Sequence, residues 1–383
     1  MLTATGTLLP VYAQMPVKPV SGRGSWIIDE DGARWLDAYA GHAVTSTGHC
    51  HPHVVAAITR QAGELLFYSA LLPHPSRDQL ARDLVAMLPA GLAKVFFANS
   101  GAEANENLMM LARRRTQRTT IVALEGGWHG RTMACQAVTD GPKYVKNATL
   151  AGMPLAPRVP FNDIAALDAA LTSDVAALLV EPVQGVAGAR DVSREFLDTA
   201  RVLCTERGIA LLFDEVQSGI GRCGAFTAAQ LYGVTPDGMS LAKGLASGVP
   251  IGCTVVNEWL SEGIQIGDLG STFGGGPLAC AAAIATLEVV RGEDLSSHAG
   301  RIGAQLRAGI AGLPGVTRLQ GHGLFIGIVT EQPAKQVQQA LFAEKVLTGT
   351  SDDPHVLRLL PPLNFSSDEA DLVIAALARV LAA

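Results

Sequence analysis

The two residues of this chain best placed to do chemistry are a lysine among small apolar neighbours and a carboxylate at the end of an apolar run. Lys243 follows Gly238-Met239-Ser240-Leu241-Ala242, which reads as a brief apolar turn, and precedes Gly244, with Gly248 close behind. Such surroundings strip water from an ammonium, lower its pKa and suit it to attack a carbonyl as a free amine. Asp214 ends the run Ile209-Ala210-Leu211-Leu212-Phe213 and opens Asp214-Glu215-Val216-Gln217. A short apolar run bounded by charge predicts a buried strand of a parallel sheet, and the carboxyl end of such a strand is the rim where open α/β sheets bind ligands. Each residue alone has a plain reading, a strand-end cap for Asp214 and a surface loop lysine for Lys243. Together they suggest pyridoxal phosphate, with the lysine holding its aldehyde covalently and the aspartate keeping its pyridine nitrogen protonated.

Other elements must bring a phosphate cradle and a substrate grip to the same rim. Lys94-Val95-Phe96-Phe97-Ala98 reads as a strand, followed by Asn99-Ser100-Gly101-Ala102-Glu103-Ala104-Asn105-Glu106 and a helical run to Arg114. Small residues between a strand end and a helix start expose backbone N–H groups where the helix dipole is positive, which suits a phosphate; Ser100 as a simple N-cap is the plain alternative. Ile121-Val122-Ala123-Leu124 leads to Gly126-Gly127-Trp128-His129-Gly130-Arg131. Trp128 offers a flat face for a pyridine ring, or else a core residue, and Arg131 offers a fork for a carboxylate. Val175-Ala176-Ala177-Leu178-Leu179-Val180 is a further strand, ending in Glu181-Pro182-Val183-Gln184-Gly185. An amphipathic helix over residues 194–207 separates it from the run at 209, so the order is βαβ and the sheet parallel.

The two ends of the chain differ from this middle. Residues 11–40 alternate short apolar runs with acidic and glycine turns, as in Asp29-Glu30-Asp31-Gly32, and read as a small β meander. Gly48-His49-Cys50-His51-Pro52-His53 has metal-binding residue types, but they are contiguous rather than in separated pairs, so a loop leading into a helix through Leu66 is expected. After Lys243 come a strand at 251–256, the glycine-rich loop Gly270-Ser271-Thr272-Phe273-Gly274-Gly275-Gly276-Pro277 and a helix from Leu278. Beyond about residue 291, helix, strand, helix, strand and a closing helix from Ser367 read as a second α/β layer that joins the N-terminal meander.

Composition bounds the class. The chain has 383 residues, 48% hydrophobic and 17% charged, enough for a sizeable core in two domains or one large domain with an appendage. A formal net charge of −6 argues against nucleic acid or an anionic membrane as partner. Residues 1–9 contain no basic residue, so no secretory n-region is expected, and the nearly apolar run 278–290 is too short to span a bilayer. Six scattered cysteines without C-x-x-C spacing predict free thiols in a reducing, cytoplasmic setting.

Taken in order, these segments resemble the class III aminotransferases of fold type I that use pyridoxal phosphate, and within them the acetylornithine aminotransferase branch. The motifs that carry the resemblance are Asn99-Ser100-Gly101-Ala102-Glu103-Ala104-Asn105, His129-Gly130-Arg131-Thr132, Glu181-Pro182-Val183-Gln184-Gly185, Asp214-Glu215-Val216-Gln217, Lys243, Ser271-Thr272 and Leu357-Arg358-Leu359-Leu360-Pro361-Pro362. The resemblance implies an α/β fold with a large cofactor-binding domain over residues 46–290, a mostly parallel sheet flanked by helices, and a small domain built from residues 1–45 and 291–383. It implies that Lys243 bonds the cofactor and moves the proton, that Asp214 pairs with the pyridine nitrogen, and that Val216 and Trp128 cover the two ring faces. Gln217 is implied at the phenolic oxygen, and Gly101 and Ala102, with Ser100 nearby, at the phosphate. Thr272 would reach the phosphate of a neighbouring subunit, making the active unit a homodimer. Arg131, Ser271 and Arg358 would contact substrate, Arg358 gripping a carboxylate of 2-oxoglutarate and glutamate. The implied reaction moves the terminal amino group of N-acetylornithine, or a related ω-amino donor, to 2-oxoglutarate.

Three positions depart from the family pattern. Val186 stands where a glutamate usually follows the E-P-V-Q-G segment, Trp128 replaces a smaller aromatic, and Gly276 replaces an asparagine. Without that glutamate, Arg358 is expected to stay permanently available and to favour partners that each bring it a carboxylate. The alternatives on the same fold are a class III aminotransferase of other donor specificity, a pyridoxal-phosphate-dependent decarboxylase or aminomutase, and a binding protein without activity. A nicotinamide-binding fold is discounted, because no G-x-G-x-x-G follows an early strand.

Overall fold

A computed structural model describes residues 9–382; the stretch expected to lack a secretory n-region lies, except for Leu9, outside the described residues. Its centre is a seven-stranded sheet whose spatial order is Leu92–Ala98, Gly252–Asn257, Gly238–Leu241, Ala210–Asp214, Val175–Val180, Thr120–Leu124 and Arg158–Val159. Every residue of Val175–Val180 and of Ala210–Asp214 is buried. Helices cover both faces of these central strands, which is why their sequences run continuously apolar instead of alternating. The helix Arg194–Arg207 connects the two, with Ser193 as N-cap and Gly208 as the left-handed C-cap.

Two details of this sheet differ from the sequence reading. Gly238–Leu241 is a strand, not a turn, paired with Ala210–Asp214 on one side and Gly252–Asn257 on the other. Four residues with a glycine carry too little pattern to signal a strand, and it is the pairing on both sides that extends them. Gly252–Asn257 runs antiparallel to both its neighbours. Only the short 3₁₀ turn Lys243–Ala246 intervenes before it, which leaves no room for the crossover helix a parallel return needs. The register sets Asp214 directly opposite Ser240, three residues before Lys243. Asp214 and Lys243 therefore emerge side by side at the carboxyl rim.

The two four-stranded sheets come from the two ends of the chain. Pro19–Arg23, Trp26–Asp29 and Arg34–Asp37 form the expected meander, and Val346–Leu347 joins it parallel to Arg34–Asp37. Val316–Gln320, Ile326–Thr330, Val356–Leu359 and Gly349–Thr350 form a second, antiparallel sheet against the helices Leu295–Ile310 and Ser367–Leu381. Backbone bonds from Leu360 N–H to Ala38 O and from Leu363 N–H to Ser46 O, both 2.8 Å, tie the ends together.

Directly after the meander, Ala40, Gly41, His42 and Ala43 take φ values of +48°, +56°, +70° and +63°. The bonds from Ala43 N–H to Tyr39 O and from Val44 N–H to Ala40 O make this a left-handed helical turn, costing roughly 1–2 kcal/mol at each non-glycine residue. One carboxylate holds it. Asp37 Oδ1 accepts from the Tyr39 and Ala40 N–H groups at 2.9 and 2.8 Å, and Oδ2 accepts from His49 Nε2 at 2.7 Å.

The histidine-rich segment is the expected helix entry. His51 caps the helix Pro52–Glu64 and meets Glu293, His53 meets Glu288, and His49 meets Asp37. The three rings face three different carboxylates, and among the described residues no group of three or more metal-binding side chains is found. Also among the described residues, all six cysteines are free and no helix is long and apolar enough to cross a membrane.

Candidate active site

Asp214 is the fixed point of the site. It is 5% exposed, and its Oδ2 accepts from Asn105 Nδ2 at 2.7 Å and His129 Nδ1 at 2.9 Å, while Oδ1 accepts from the Val216 N–H at 3.1 Å. Asn105 in turn donates to His129 O at 2.9 Å, so the helix Gly101–Thr116 and the loop after Thr120–Leu124 both lock onto one carboxylate. Burial works to raise the Asp214 carboxyl, but the His129 bond and charge, with the Val216 and Asn105 bonds, outweigh it and hold the group below the usual carboxylate range.

Glu181, close by, goes the other way. Its oxygens accept from the Trp128 N–H at 2.7 Å and the Gly185 N–H at 3.0 Å, yet burial pushes its pKa up to about 7, the His129 charge opposing this and the Asp214 charge adding to it. Two neighbouring acids with pKa values pushed apart are the arrangement expected where one must stay charged and the other can exchange a proton.

Lys243 feels both charges from a strained backbone position, φ +35°, and among the described residues its ammonium has no ion-pair partner within 4 Å. Burial lowers its pKa to about 8; the Asp214 and Glu181 charges pull it back up, and Arg358 and Arg222 push it down. A free amine is thus within reach near neutral pH, as a nucleophile that attacks an aldehyde requires.

The turn expected to suit a phosphate opens the helix Gly101–Thr116. Ser100 is its N-cap, accepting from Glu103 N–H at 3.2 Å, and Gly101 and Ala102 N–H are first-turn donors without intrahelical partners. A Cβ on Gly101 would meet the Val216 methyls at 2.7 and 2.8 Å, so only glycine lets this turn close on Val216. Fixed carboxylate, depressed lysine and open helix N-terminus fit pyridoxal phosphate. When bound there, the group supplies an electron sink next to the carbon that exchanges its proton.

The substrate side is more varied. Arg358 is 5% exposed and donates from Nε to Thr350 O at 2.8 Å, from Nη1 to Gly185 O at 2.8 Å and from Nη2 to the Tyr39 hydroxyl at 2.7 Å. Gln217 Oε1 stands 3.5 Å from Nη1, which brings Gln217 and Arg358 together. The expectation of a freely available Arg358 needs refining. Among the described residues no acid holds it, but the neutral oxygens of Thr350, Gly185, Tyr39 and Gln217 do. Val186 lies half-buried beside it, its carbonyl accepting from Asp352 N–H at 2.9 Å.

Arg131 is exposed, and its charge reaches His42 together with those of Arg358 and Lys243. Partial burial and then these three cations lower the His42 pKa, so the imidazole stays neutral in a field that attracts anions. Trp128 is half-buried, its indole N–H donating to the Tyr144 hydroxyl at 3.1 Å. Ser271 Oγ accepts from Asn99 Nδ2 at 3.2 Å and from Gly274 N–H at 3.0 Å, so it shapes its own loop. Thr272 is exposed, beside Phe273, whose ring lies 5.1 Å from that of Phe67. Gly276 caps the helix Pro277–Gly292, and a Cβ there would crowd Phe67 at 3.3 Å.

Sequence reasoning assigned no role to five residues that the structure draws in. Asn105, His129 and Glu181 stood inside recognised motifs, and their proximity to the chosen residues was the available signal. Tyr39 and His42 gave none, because a left-handed turn has no sequence period.

Comparison with known proteins gives the arrangement its class. The chain belongs to the class-III aminotransferases, whose family pattern matches residues 9–381, and its cofactor is pyridoxal phosphate. Acetylornithine aminotransferase 1 of Bordetella parapertussis is 40% identical over 389 aligned residues, covering 98% of each chain. Among solved structures, the ornithine aminotransferase of Toxoplasma gondii superposes with a TM-score of 0.91 at 29% identity, covering 98% of this chain and 93% of its own. The acetylornithine aminotransferase of Elizabethkingia anophelis gives 0.86 at 30% identity, with 98% and 96% covered.

Proposed function

We propose that this enzyme moves the terminal amino group of N-acetylornithine to 2-oxoglutarate, giving the semialdehyde and glutamate. The observation that carries the reading is a lysine with a pKa of about 8 that feels the charge of a buried arginine, which among the described residues has no acid within 4.0 Å. The first suits an amino-group carrier, the second a carboxylated acceptor. Relatives named for acetylornithine, alike over nearly their whole length, support the donor.

In this reading Lys243 holds the cofactor's aldehyde and, once displaced by donor, moves the proton at the reacting carbon. Asp214 fixes the pyridine nitrogen, Val216 and Trp128 cover the ring faces, and Gln217 meets the phenolic oxygen. Gly101 and Ala102 N–H groups, with Ser100, hold the phosphate. Arg131, Ser271 and Arg358 contact substrate, Arg358 taking the carboxylate next to the oxo group. Thr272 completes the phosphate site of a second copy. The apolar surface around it, with Phe273 64%, Leu66 61% and Leu71 87% exposed, suits a homodimer interface. Residues 46–290 act as the large domain and residues 1–45 with 291–383 as the small one, in a cytoplasmic enzyme.

The test is an absorbance spectrum of the purified holoenzyme, scanned as candidate donors are added without oxo acid. N-acetylornithine should convert the cofactor band and 2-oxoglutarate should restore it. Conversion by glutamate alone, with every ω-amino donor inert, overturns the donor and keeps the aminotransferase.

A further inference from the structure

Arg358 is a buried cation whose partners are all neutral. A guanidinium has five N–H groups. Thr350 O, Gly185 O and the Tyr39 hydroxyl take three of them, which among the described residues leaves one Nη2 N–H without a partner and one Nη1 N–H facing only Gln217 Oε1 at 3.5 Å. Among the described residues no carboxylate comes within the 4.0 Å of an ion pair. Burial without a counter-charge is costly, so the geometry calls for an anion at the open edge of the guanidinium.

Tyr39 is placed with care. Asp37 pins its N–H, and the left-handed turn begins at the next residue. Its ring lies on the bare Cα of Gly349, where any Cβ would collide with it, and the Arg358 guanidinium carbon stands 5.5 Å from the ring centroid. The hydroxyl accepts from Arg358, and among the described residues its own proton meets no acceptor. Burial raises the Tyr39 pKa, opposed only in part by the Arg358 charge and bond, so the phenol keeps that proton.

We propose that Tyr39 is a specificity-determining residue, its hydroxyl fixing Arg358 in one orientation through both half-reactions and donating its own proton to the carboxylate that Arg358 receives. The proposal rests on Arg358 being the carboxylate contact. Its substrate class is the 2-oxo acid and its α-amino product, whose carboxylate adjoins the reacting carbon. When an ω-amino donor without that carboxylate is bound, Tyr39, Gly185 and Thr350 keep the guanidinium in place and no acid has to swing onto it. Asp352 is the rival for this role: it feels the Arg358 charge and its N–H bonds Val186 O, but its carboxylate stands outside ion-pair reach.

The experiment is calorimetric titration of glutarate, a dicarboxylate that cannot react, into the holoenzyme. Tyr39→Phe keeps the ring on Gly349 and removes only the hydroxyl. Its glutarate Kd should rise roughly tenfold, as for loss of a hydrogen bond to a charged group. KM for 2-oxoglutarate should rise by a similar factor and kcat should fall far less. Gly349→Ala, which forces the ring off its seat, should weaken glutarate in the same direction. An unchanged glutarate Kd in Tyr39→Phe, or equal losses on the donor and acceptor sides, would overturn the proposal. So would a larger effect from Asp352→Asn than from Tyr39→Phe. If Arg358→Gln leaves the glutarate Kd unchanged, the underlying reading of Arg358 is what fails.

Discussion

The floor of the site and its rim are built on different terms. On the floor, Asp214 has a partner for each oxygen, supplied by a helix, a strand end and a loop of the same chain. At the rim, Arg131 and Thr272 project into solvent, Ser271 is taken up by its own loop, and Phe273 is left exposed. The ends of buried central strands can fix a charge through partners that packing holds in place, whereas loops can present a group but need something to close against. The floor is therefore fixed from within one chain, while the rim is left with exposed groups, which is where the proposed second copy would act.

The largest expected effect is on the floor. Lys243→Ala should lower turnover by about 10⁴-fold, the upper end of what a positioned proton carrier contributes, in a spectral assay of either half-reaction. Asp214→Asn keeps the shape and removes the charge; kcat should fall roughly 10²–10³-fold, as when one preorganised electrostatic contact is lost. If either variant keeps near-normal rates, the floor is not where the chemistry is set. At the rim, Thr272→Val should weaken cofactor retention roughly tenfold, measured by dialysis and absorbance, without lowering the melting temperature of the apoprotein. Retention should also fall on dilution below the dimer dissociation constant, seen by sedimentation; indifference to both erases the division between floor and rim.

The smallest effect is on pH. Lys243 is protonated up to about 10.5 in the unfolded chain but only to about 8 in the folded one, so the unfolded chain binds more protons in that window. Apoprotein stability should accordingly gain from this residue as pH rises from 8 to 10.5, and cofactor uptake by the apoprotein should rise through pH 8. The Glu181 charge helps hold the Lys243 pKa up, so Glu181→Gln should shift that uptake profile to lower pH. A profile unmoved by this change disconnects the two groups.

The floor was largely legible in the sequence because each of its parts is local. An apolar run ending in Asp214, a small-residue turn at Gly101 and a lysine among glycines each announce themselves within a few residues. The strand Gly238–Leu241 was not legible, since its extension comes from neighbours on both sides and not from its own four residues. Nor was the support of Arg358. Tyr39 lies 319 positions away in the chain and reaches it from beside a left-handed turn, where neither helical nor strand periodicity applies. Val186 in place of a glutamate raised the question of what stands beside Arg358, but could not show which oxygens surround its guanidinium.

The parallel pairing of Arg34–Asp37 with Val346–Leu347 has a consequence for how the protein is made. On the ribosome the meander Pro19–Asp37 emerges well before the strand that flanks it and the Leu360 and Leu363 bonds that tie down the chain after it. The seven-stranded sheet, all of whose strands lie between residues 92 and 257, can close while the beginning of the chain waits. Until Val346–Leu347 has been made, Arg34–Asp37 carries an unpaired strand edge, the kind of surface on which chaperones and misassembly compete.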